Sequence, residues 1–250
     1  MTAKATAAAP DLSFPRPLCS VDVAIFAAVD DRLQLLLVKR METPGEPFPG
    51  QWALPGGFVD IDRDRDLEAT ARRKLVEKTG VRSPYLEQLG SWGDARRDPR
   101  GWSATHAYFA LIPAEGVTLS PGANAVDVGW FEVTGDGVKP KLAFDHARLV
   151  GGAVQRLRAK VEYTSLPVHL LPAEFTLGEL QRVYEIVLGR GLDKSAFRTR
   201  VLAADVMAPT GQWRGGANRP AQLYRAKDRD IVYFPRPFEP RKAKGGAAKR

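Results

Sequence analysis

One cysteine, Cys19, stands in 250 residues. This excludes an intramolecular disulfide and any multi-cysteine zinc site, and it fits a reducing cytoplasm. Long hydrophobic runs are missing too. Alternating stretches such as Leu33, Leu35 and Leu37 are broken by charge within a few residues, so nothing resembles a membrane span. Residues 1–17 are rich in Ala, Thr and Pro but lack a continuous apolar core, and they read as a disordered leader rather than a signal peptide. A charge excess is absent from the first two-thirds of the chain. Residues 1–164 hold 21 basic and 21 acidic side chains, whereas residues 165–250 hold 16 and 8, so the whole net charge of +8 falls in the last third. Such a split implies a C-terminal part that meets a polyanion. The basic tail (Arg241, Lys242, Lys244, Lys249, Arg250) supplies more than half of that excess and leaves +3. A composition of 44% hydrophobic and 26% charged residues is ordinary for a globular protein, and the length allows two domains.

Apolar periodicity marks the elements. Val21 to Phe26 and Leu33 to Val38 flank Asp30-Asp31 and read as a β-hairpin. Pro44 to Gly50, with three prolines and two glycines, is a loop. Leu67 to Lys78 lacks Gly and Pro and spaces Leu67, Ala71 and Leu75 four apart, which predicts an amphipathic helix. Strands are predicted at Trp102–Ile112 and Val126–Val133, and a long helix at His146–Tyr163. A connector with two prolines follows, then helices at Phe175–Leu188 and Asp193–Ala204 separated by Gly189-Arg190-Gly191. Gly211 to Phe234 reads as two strands around a Gly-Gly turn. This order predicts an α+β domain followed by a helix-turn-helix with a wing.

The segment Gln51-Trp52-Ala53-Leu54-Pro55-Gly56-Gly57-Phe58-Val59, followed by Arg73-Lys74-Leu75-Val76-Glu77-Lys78-Thr79-Gly80-Val81 on a helix, resembles the Nudix box. The resemblance covers about residues 18–140 and implies the Nudix fold, a mixed sheet between helices. That family carries three carboxylates at i, i+3 and i+4, which stacks them on one helical face. There they bind magnesium ions that hold a diphosphate and orient water. Here those positions are Lys74, Glu77 and Lys78. A face that was anionic has become cationic and repels a divalent ion, so the resemblance implies a disabled site with no catalytic residue, no metal and no cofactor. The stretch after Gly57 is two residues longer than the usual box. It carries Asp60, Asp62, Asp64 and Asp66, with Arg65 near the place of the family's first Glu, and reads as a solvated loop.

A cleft built by the fold survives the loss of its metal. Lys74 and Lys78 are expected to take the cation's role and contact ligand phosphates directly. The loop Gly93 to Trp102 gathers Arg96, Arg97 and Arg100, whose planar forks suit phosphate; a charged surface loop with Asp98 pairing one arginine is the other reading. This loop and Ala143-Phe144-Asp145-His146 resemble Nudix members that act on ADP-ribose. The expected effector-binding set is Arg40, Lys74, Glu77, Lys78, Arg96, Arg97 and Arg100.

In the C-terminal part, Thr176 and Glu179 form a capping box ahead of Leu177, Leu180, Tyr184, Val187 and Leu188. On the next helix Phe197, Val201 and Ala204 line a buried side. Lys194, Ser195, Arg198 and Thr199 share the outer side near the N-terminus, as a recognition helix requires. Arg214 and Arg219 flank a glycine tip that can lay arginines along a DNA backbone. The expected DNA-binding set is Thr176, Lys194, Ser195, Arg198, Thr199, Arg214 and Arg219. From about residue 20 to 235 the chain is similar to the Nudix-related transcriptional regulators of NAD metabolism, the NrtR type. The resemblance implies a cytoplasmic homodimeric repressor of NAD-metabolism genes that binds palindromic double-stranded operator DNA and senses a nucleotide such as ADP-ribose. It implies a Nudix-like domain at 18–145, a connecting helix at 146–164, a winged helix-turn-helix at 165–236 and a basic disordered tail at 237–250. Two further readings stay open: an ADP-ribose-type pyrophosphatase with an accessory dimerisation domain, and an adaptor whose basic domain meets a protein or RNA.

Overall fold

The computed structural model describes residues 15–82, 85–122, 125–215, 220–227 and 230–235. The chain opens with β1 (Leu18–Val29) and β2 (Arg32–Arg40), an antiparallel hairpin. Asp30 (φ 49°) and Asp31 (φ 60°) both lie in the left-handed region, the two-residue turn whose twist matches that of the strands. The predicted loop from Pro44 to Gly50 leads to β3 (Trp52–Ala53) and β4 (Gly56–Phe58), which pair with β2 and β1. Close approach of β4 to β1 requires glycine. A Cβ on Gly56 would fall 2.2 Å from Asp22 Oδ1 and 2.6 Å from the Val21 carbonyl.

Helix α1 (Leu67–Thr79) begins where Asp66 accepts from the Ala69 amide and stops at Gly80, which is left-handed at φ 69°. β5 (Tyr85–Asp94), β6 (Ser103–Leu111), β7 (Ala125–Thr134) and β8 (Gly137–Val138) complete the sheet, and α2 (His146–Val161) follows. The strand order is β5-β6-β1-β2-β7-β8, with β1 and β6 parallel and the other pairs antiparallel. Helices cover both faces. Ala71 and Leu75 of α1 pack with Val21, Val23, Ile25 and Leu36. Leu149, Val150, Ala153, Val154 and Leu157 of α2 pack with Phe26, Leu35, Leu37 and Phe109. Burial on both faces explains why β1 and β2 are apolar almost throughout rather than at alternate positions.

A 3-10 turn at Leu166–Leu170 leads to β9 (Phe175–Thr176), α3 (Leu177–Leu188), α4 (Lys194–Ala203), β10 (Met207–Arg214) and β11 (Ala221–Ala226). The second sheet runs β10-β11-β9, all antiparallel. Sequence periodicity places Phe175 in the helix, but the structure pairs Phe175 and Thr176 with Tyr224 and Leu223 as a strand. It also starts the hairpin at Met207, four residues before the predicted Gly211. The last described segment returns to the connector. The Ser165 amide donates to the Val232 carbonyl at 2.9 Å and the Phe234 amide to the Tyr163 carbonyl at 2.7 Å. Among the described residues no helix is long and apolar enough to cross a membrane.

Candidate ligand cleft and nucleic-acid interface

The carboxylate face of the Nudix box is rebuilt here as a network of cations and carboxylates. Lys74 Nζ donates to Glu77 at 3.3 Å, and its stem lies against Gly57, whose Cβ would fall 3.3 Å from Lys74 Cε. Arg73 donates to the same Glu77 at 3.1 Å. Burial works to raise the Glu77 carboxyl, but Arg73 and Lys74 outweigh it and hold the group below its ordinary value. Asp64 is the residue that sequence reasoning missed. Arg65 stands near the expected position of the box's first acid, yet its side chain is exposed and pairs with Asp66. The carboxylate of Asp64 instead turns inward, 2% exposed, and accepts two hydrogen bonds from Arg73, one from Thr70 at 2.9 Å and one from the Asp60 amide. Hydrogen bonding from Arg73 is the largest influence, and it holds the Asp64 carboxyl far below the usual range.

This donor set does not fit a magnesium ion. Glu77 is engaged by two cations, Asp64 by Arg73, and Asp66 by the start of α1, while an ammonium occupies the same helical face. Lys78 departs from its expected role. It is 6% exposed, and its amine donates to the Pro121 carbonyl, fastening the loop whose Ser120 amide donates to the Lys78 carbonyl at 2.9 Å. Burial lowers its pKa. Lys78 is therefore a strut under the loop and cannot reach a ligand without breaking that bond.

The arginines divide in the same way. Arg40 leaves the end of β2, donates to the Pro47 carbonyl at 2.8 Å and to Glu46 at 2.9 Å, and lies 4.9 Å from the ring centre of Phe144. Phe144 (φ 53°) and Phe48 (φ 54°) both hold left-handed backbone, costly for a bulky side chain, and their rings meet edge to face at 4.7 Å. Arg100 donates through its backbone and guanidinium to Asp98 and lies 5.0 Å from the ring centre of Phe58. The Asp98–Arg100 pair is the alternative foreseen for this loop, and Arg100 keeps an exposed cation above an aromatic ring. Arg96 is exposed, with its amide on Asp94. Arg97 is a correction. Its side chain is 4% exposed and donates to both oxygens of Asp145, so it is unavailable to a ligand. Around it lies a buried polar group that the sequence did not reveal. Asp22 accepts from Thr105 at 2.7 Å, and His146 Nδ1 accepts from the Leu54 amide at 2.9 Å. Burial lowers the His146 pKa, so the imidazole is neutral.

A separate groove of about 420 Å³ lies between the β1–β2 turn and α3. Its arginines are paired: Arg32 with Glu132, Arg182 with Asp31, Arg158 with Asp136 and Arg190 with Glu162. It joins the two parts of the molecule, and each of the four arginines that line it is already engaged by a carboxylate.

In the second unit the capping box is formed as predicted. Thr176 Oγ1 accepts from the Glu179 amide at 3.2 Å and Glu179 accepts from the Thr176 amide at 2.7 Å. The Thr176 hydroxyl thus holds the start of α3. Tyr184 and Phe197 are fully buried and meet edge to face at 5.2 Å, fixing α4 across α3. Asp193 caps α4 through the Ala196 amide. Lys194, Ser195, Arg198 and Thr199 are all exposed on its outer side, as the spacing requires. Arg214 donates to Glu179 and to the Glu174 carbonyl, so it ties the wing to α3. Arg219 lies outside the described residues. Trp213, 60% exposed on β10, was not foreseen.

A Nudix-type domain with a cationic box helix, followed by a helix-turn-helix with a β-wing, defines a two-domain regulator architecture. The chain matches the NUDIX domain over residues 20–150 and the NrtR DNA-binding winged helix domain over residues 167–226. It is 47% identical over 227 residues to the ADPR responsive transcriptional repressor NtrR of Acinetobacter baylyi, covering 90% of this chain and 89% of that relative. It is 42% identical to NrtR of Shewanella oneidensis crystallised with a 27mer DNA, with a TM-score of 0.80 over 88% of this chain and 99% of that one. The Nudix domain of that NrtR, crystallised with ADP ribose, is similar at 42% identity and a TM-score of 0.53, covering 60% of this chain and 94% of that one. The chain belongs to the NrtR family.

Proposed function

We propose that the protein is an ADP-ribose-responsive transcriptional repressor. The observation that carries this reading is the coexistence of an exposed basic helix face on α4 with a ligand cleft whose box helix carries Lys74 beside Glu77. The effector lies across Arg40, Lys74, Glu77, Arg96 and Arg100, with phosphates on the cations, and binds without a metal. Lys194, Ser195, Arg198 and Thr199 enter the major groove, while the wing from Trp213 onward follows the backbone. The names of the Acinetobacter and Shewanella relatives support both partners. A homodimer presents two α4 helices to a palindromic operator, about one helical turn apart. NAD-metabolism genes are its targets and the cytoplasm its compartment. Hydrolysis is not part of this function, because the carboxylates that would hold magnesium are engaged by Arg73 and Lys74. The domain limits 18–145, 146–164 and 165–236 belong to the same proposal.

The test is retention of duplex DNA from the gene's own upstream region, with and without ADP-ribose, both in excess chelator. Specific retention that ADP-ribose releases supports a metal-independent sensor. Absence of DNA retention together with magnesium-dependent ADP-ribose hydrolysis would make the protein the pyrophosphatase instead.

A further inference from the structure

Arg97 sits in neither the cleft nor the DNA face, yet it is held by carboxylates from separate parts of the fold. Its guanidinium donates to Asp145 at 3.2 and 2.9 Å and lies 3.7 Å from Asp22 of β1. We propose that Arg97 is a positioning residue that couples the arginine loop of the cleft to α2, and through α2 to the winged helix. The inference rests on the ligand-responsive reading above.

The loop is one rigid turn. Asp94 Oδ1 accepts from the amides of Arg96 at 2.6 Å and Arg97 at 2.9 Å, and Asp98 accepts from Arg100 at 3.0, 3.0 and 2.8 Å. A ligand that draws on the Arg100 guanidinium therefore acts on Asp98, the residue next to Arg97 in the chain. Asp145 is the residue that precedes α2, and its side chain makes no capping bond to that helix among the described residues. Its carboxylate goes to Arg97, so the loop steers the first turn of α2 directly. The neighbouring Phe144, strained at φ 53°, faces Arg40 and gives the cleft a second hold on the same point.

The far end of α2 is attached to the winged helix. Sixteen residues carry the helix about 24 Å at 1.5 Å per residue. There Arg158 Nε donates to the Val187 carbonyl of α3 at 3.2 Å, and Glu162 pairs with Arg190 at 2.8 Å. The Tyr184 hydroxyl donates to the Thr164 carbonyl at 2.7 Å. A packed helix held at both ends transmits a tilt as a rigid body, which is the kind of contiguous element coupling requires. A planar fork on two carboxylate oxygens also fixes direction, which an ammonium does not.

The experiment uses the full chain and measures the ADP-ribose Kd with and without saturating operator duplex. Their ratio is the coupling factor. The double variant Arg97→Met with Asp145→Leu removes both partners of the bidentate pair together, Asp22 keeping its bond from the Thr105 hydroxyl; Asp145→Asn, nearly isosteric, leaves Arg97 beside Asp22 and is the second variant. Arg97→Lys is the conservative one, and melting curves confirm folding. The expected result is that ADP-ribose and DNA, measured singly, bind within about threefold of the unaltered protein. The coupling factor, about 5–150 in regulators of this kind, falls to within about threefold of unity, and Arg97→Lys lies between. A folded double variant or Asp145→Asn variant with an unaltered factor overturns the proposal. So does a loss of ADP-ribose affinity with the factor unchanged, since Arg97 then only shapes the cleft. A factor of one in the unaltered protein sinks the ligand-responsive reading itself, and this proposal with it.

Discussion

Replacing Asp64 with alanine tests whether the aspartate-rich loop is a structural anchor or a metal site. The Asp64 carboxylate is 2% exposed and its main partner, Arg73, 16% exposed. Removing it strips Arg73 of two charge-assisted bonds and leaves the Thr70 hydroxyl and the Asp60 amide without that acceptor. Breaking a buried pair by deleting one partner costs about 3–5 kcal/mol. The remaining Arg73–Glu77 pair, at i,i+4 on the outer side of α1, offsets only a few tenths of a kcal/mol. For a chain of this size, about 2–4 °C of Tm per kcal/mol gives a fall of roughly 6–20 °C. Asp62→Ala removes an exposed carboxylate and should stay within about 0.5 kcal/mol. Asp66→Ala loses the α1 cap and should cost about 1 kcal/mol. Combining Asp64→Leu with Arg73→Met should recover most of the loss, because the charges leave together. Melting followed by circular dichroism in chelator reads all four. If Asp64→Ala melts within about 2 °C of Asp62→Ala, the anchor argument fails. A magnesium-dependent rise in Tm that vanishes in Asp64→Ala would make the residue a ligand instead.

Three further outcomes are expected. Lys74→Glu sets a carboxylate beside Glu77 and should weaken ADP-ribose binding at least about tenfold by calorimetry, roughly the 1.4 kcal/mol of a single phosphate–ammonium attraction, with chelator making no difference; unchanged affinity would remove Lys74 from the cleft. Arg198→Ala with Lys194→Ala should lower the log–log salt slope of operator binding by about 0.9 for each phosphate that is no longer neutralised, and a slope equal to the unaltered protein's would place α4 away from DNA. His146 is held neutral by burial, its pKa depressed below the ordinary 6.5. The unfolded chain therefore takes up the proton first as pH falls. This contribution to stability is fully present above about pH 6.5 and is lost as pH falls through the depressed folded value. His146→Asn keeps an acceptor for the Leu54 amide, and its Tm against pH should be flatter below 6.5; an equally steep curve would assign the acid sensitivity elsewhere.

Local signals were legible wherever a short stretch dictates its own geometry. Asp30-Asp31 announced the hairpin and Thr176 with Glu179 the start of α3, because each satisfies or permits a backbone conformation within a few residues. Strand β5 was not legible. It has Gly90 and Gly93 in its run and mixed burial at the sheet edge, so neither alternation nor an apolar run marks it. The arginines of the loop between β5 and β6 were visible as a cluster but not as individuals. Arg97 and Arg100 are three residues apart, yet one is locked on Asp145 and the other stands over Phe58.

By itself the sequence determined the two-domain order, the box with its lysines, and the basic outer side of α4. Periodicity, capping and composition act over short separations and leave a trace in the letters. The tertiary structure alone decided which charges are available. Asp64 meets Arg73 nine residues on, Lys78 meets the Pro121 carbonyl 43 residues on, and Arg97 meets Asp145 48 residues on. Whether a cation faces a ligand or a buried carboxylate depends on what the fold brings within about 3 Å of it, and charge pairing at that range has no periodicity to read.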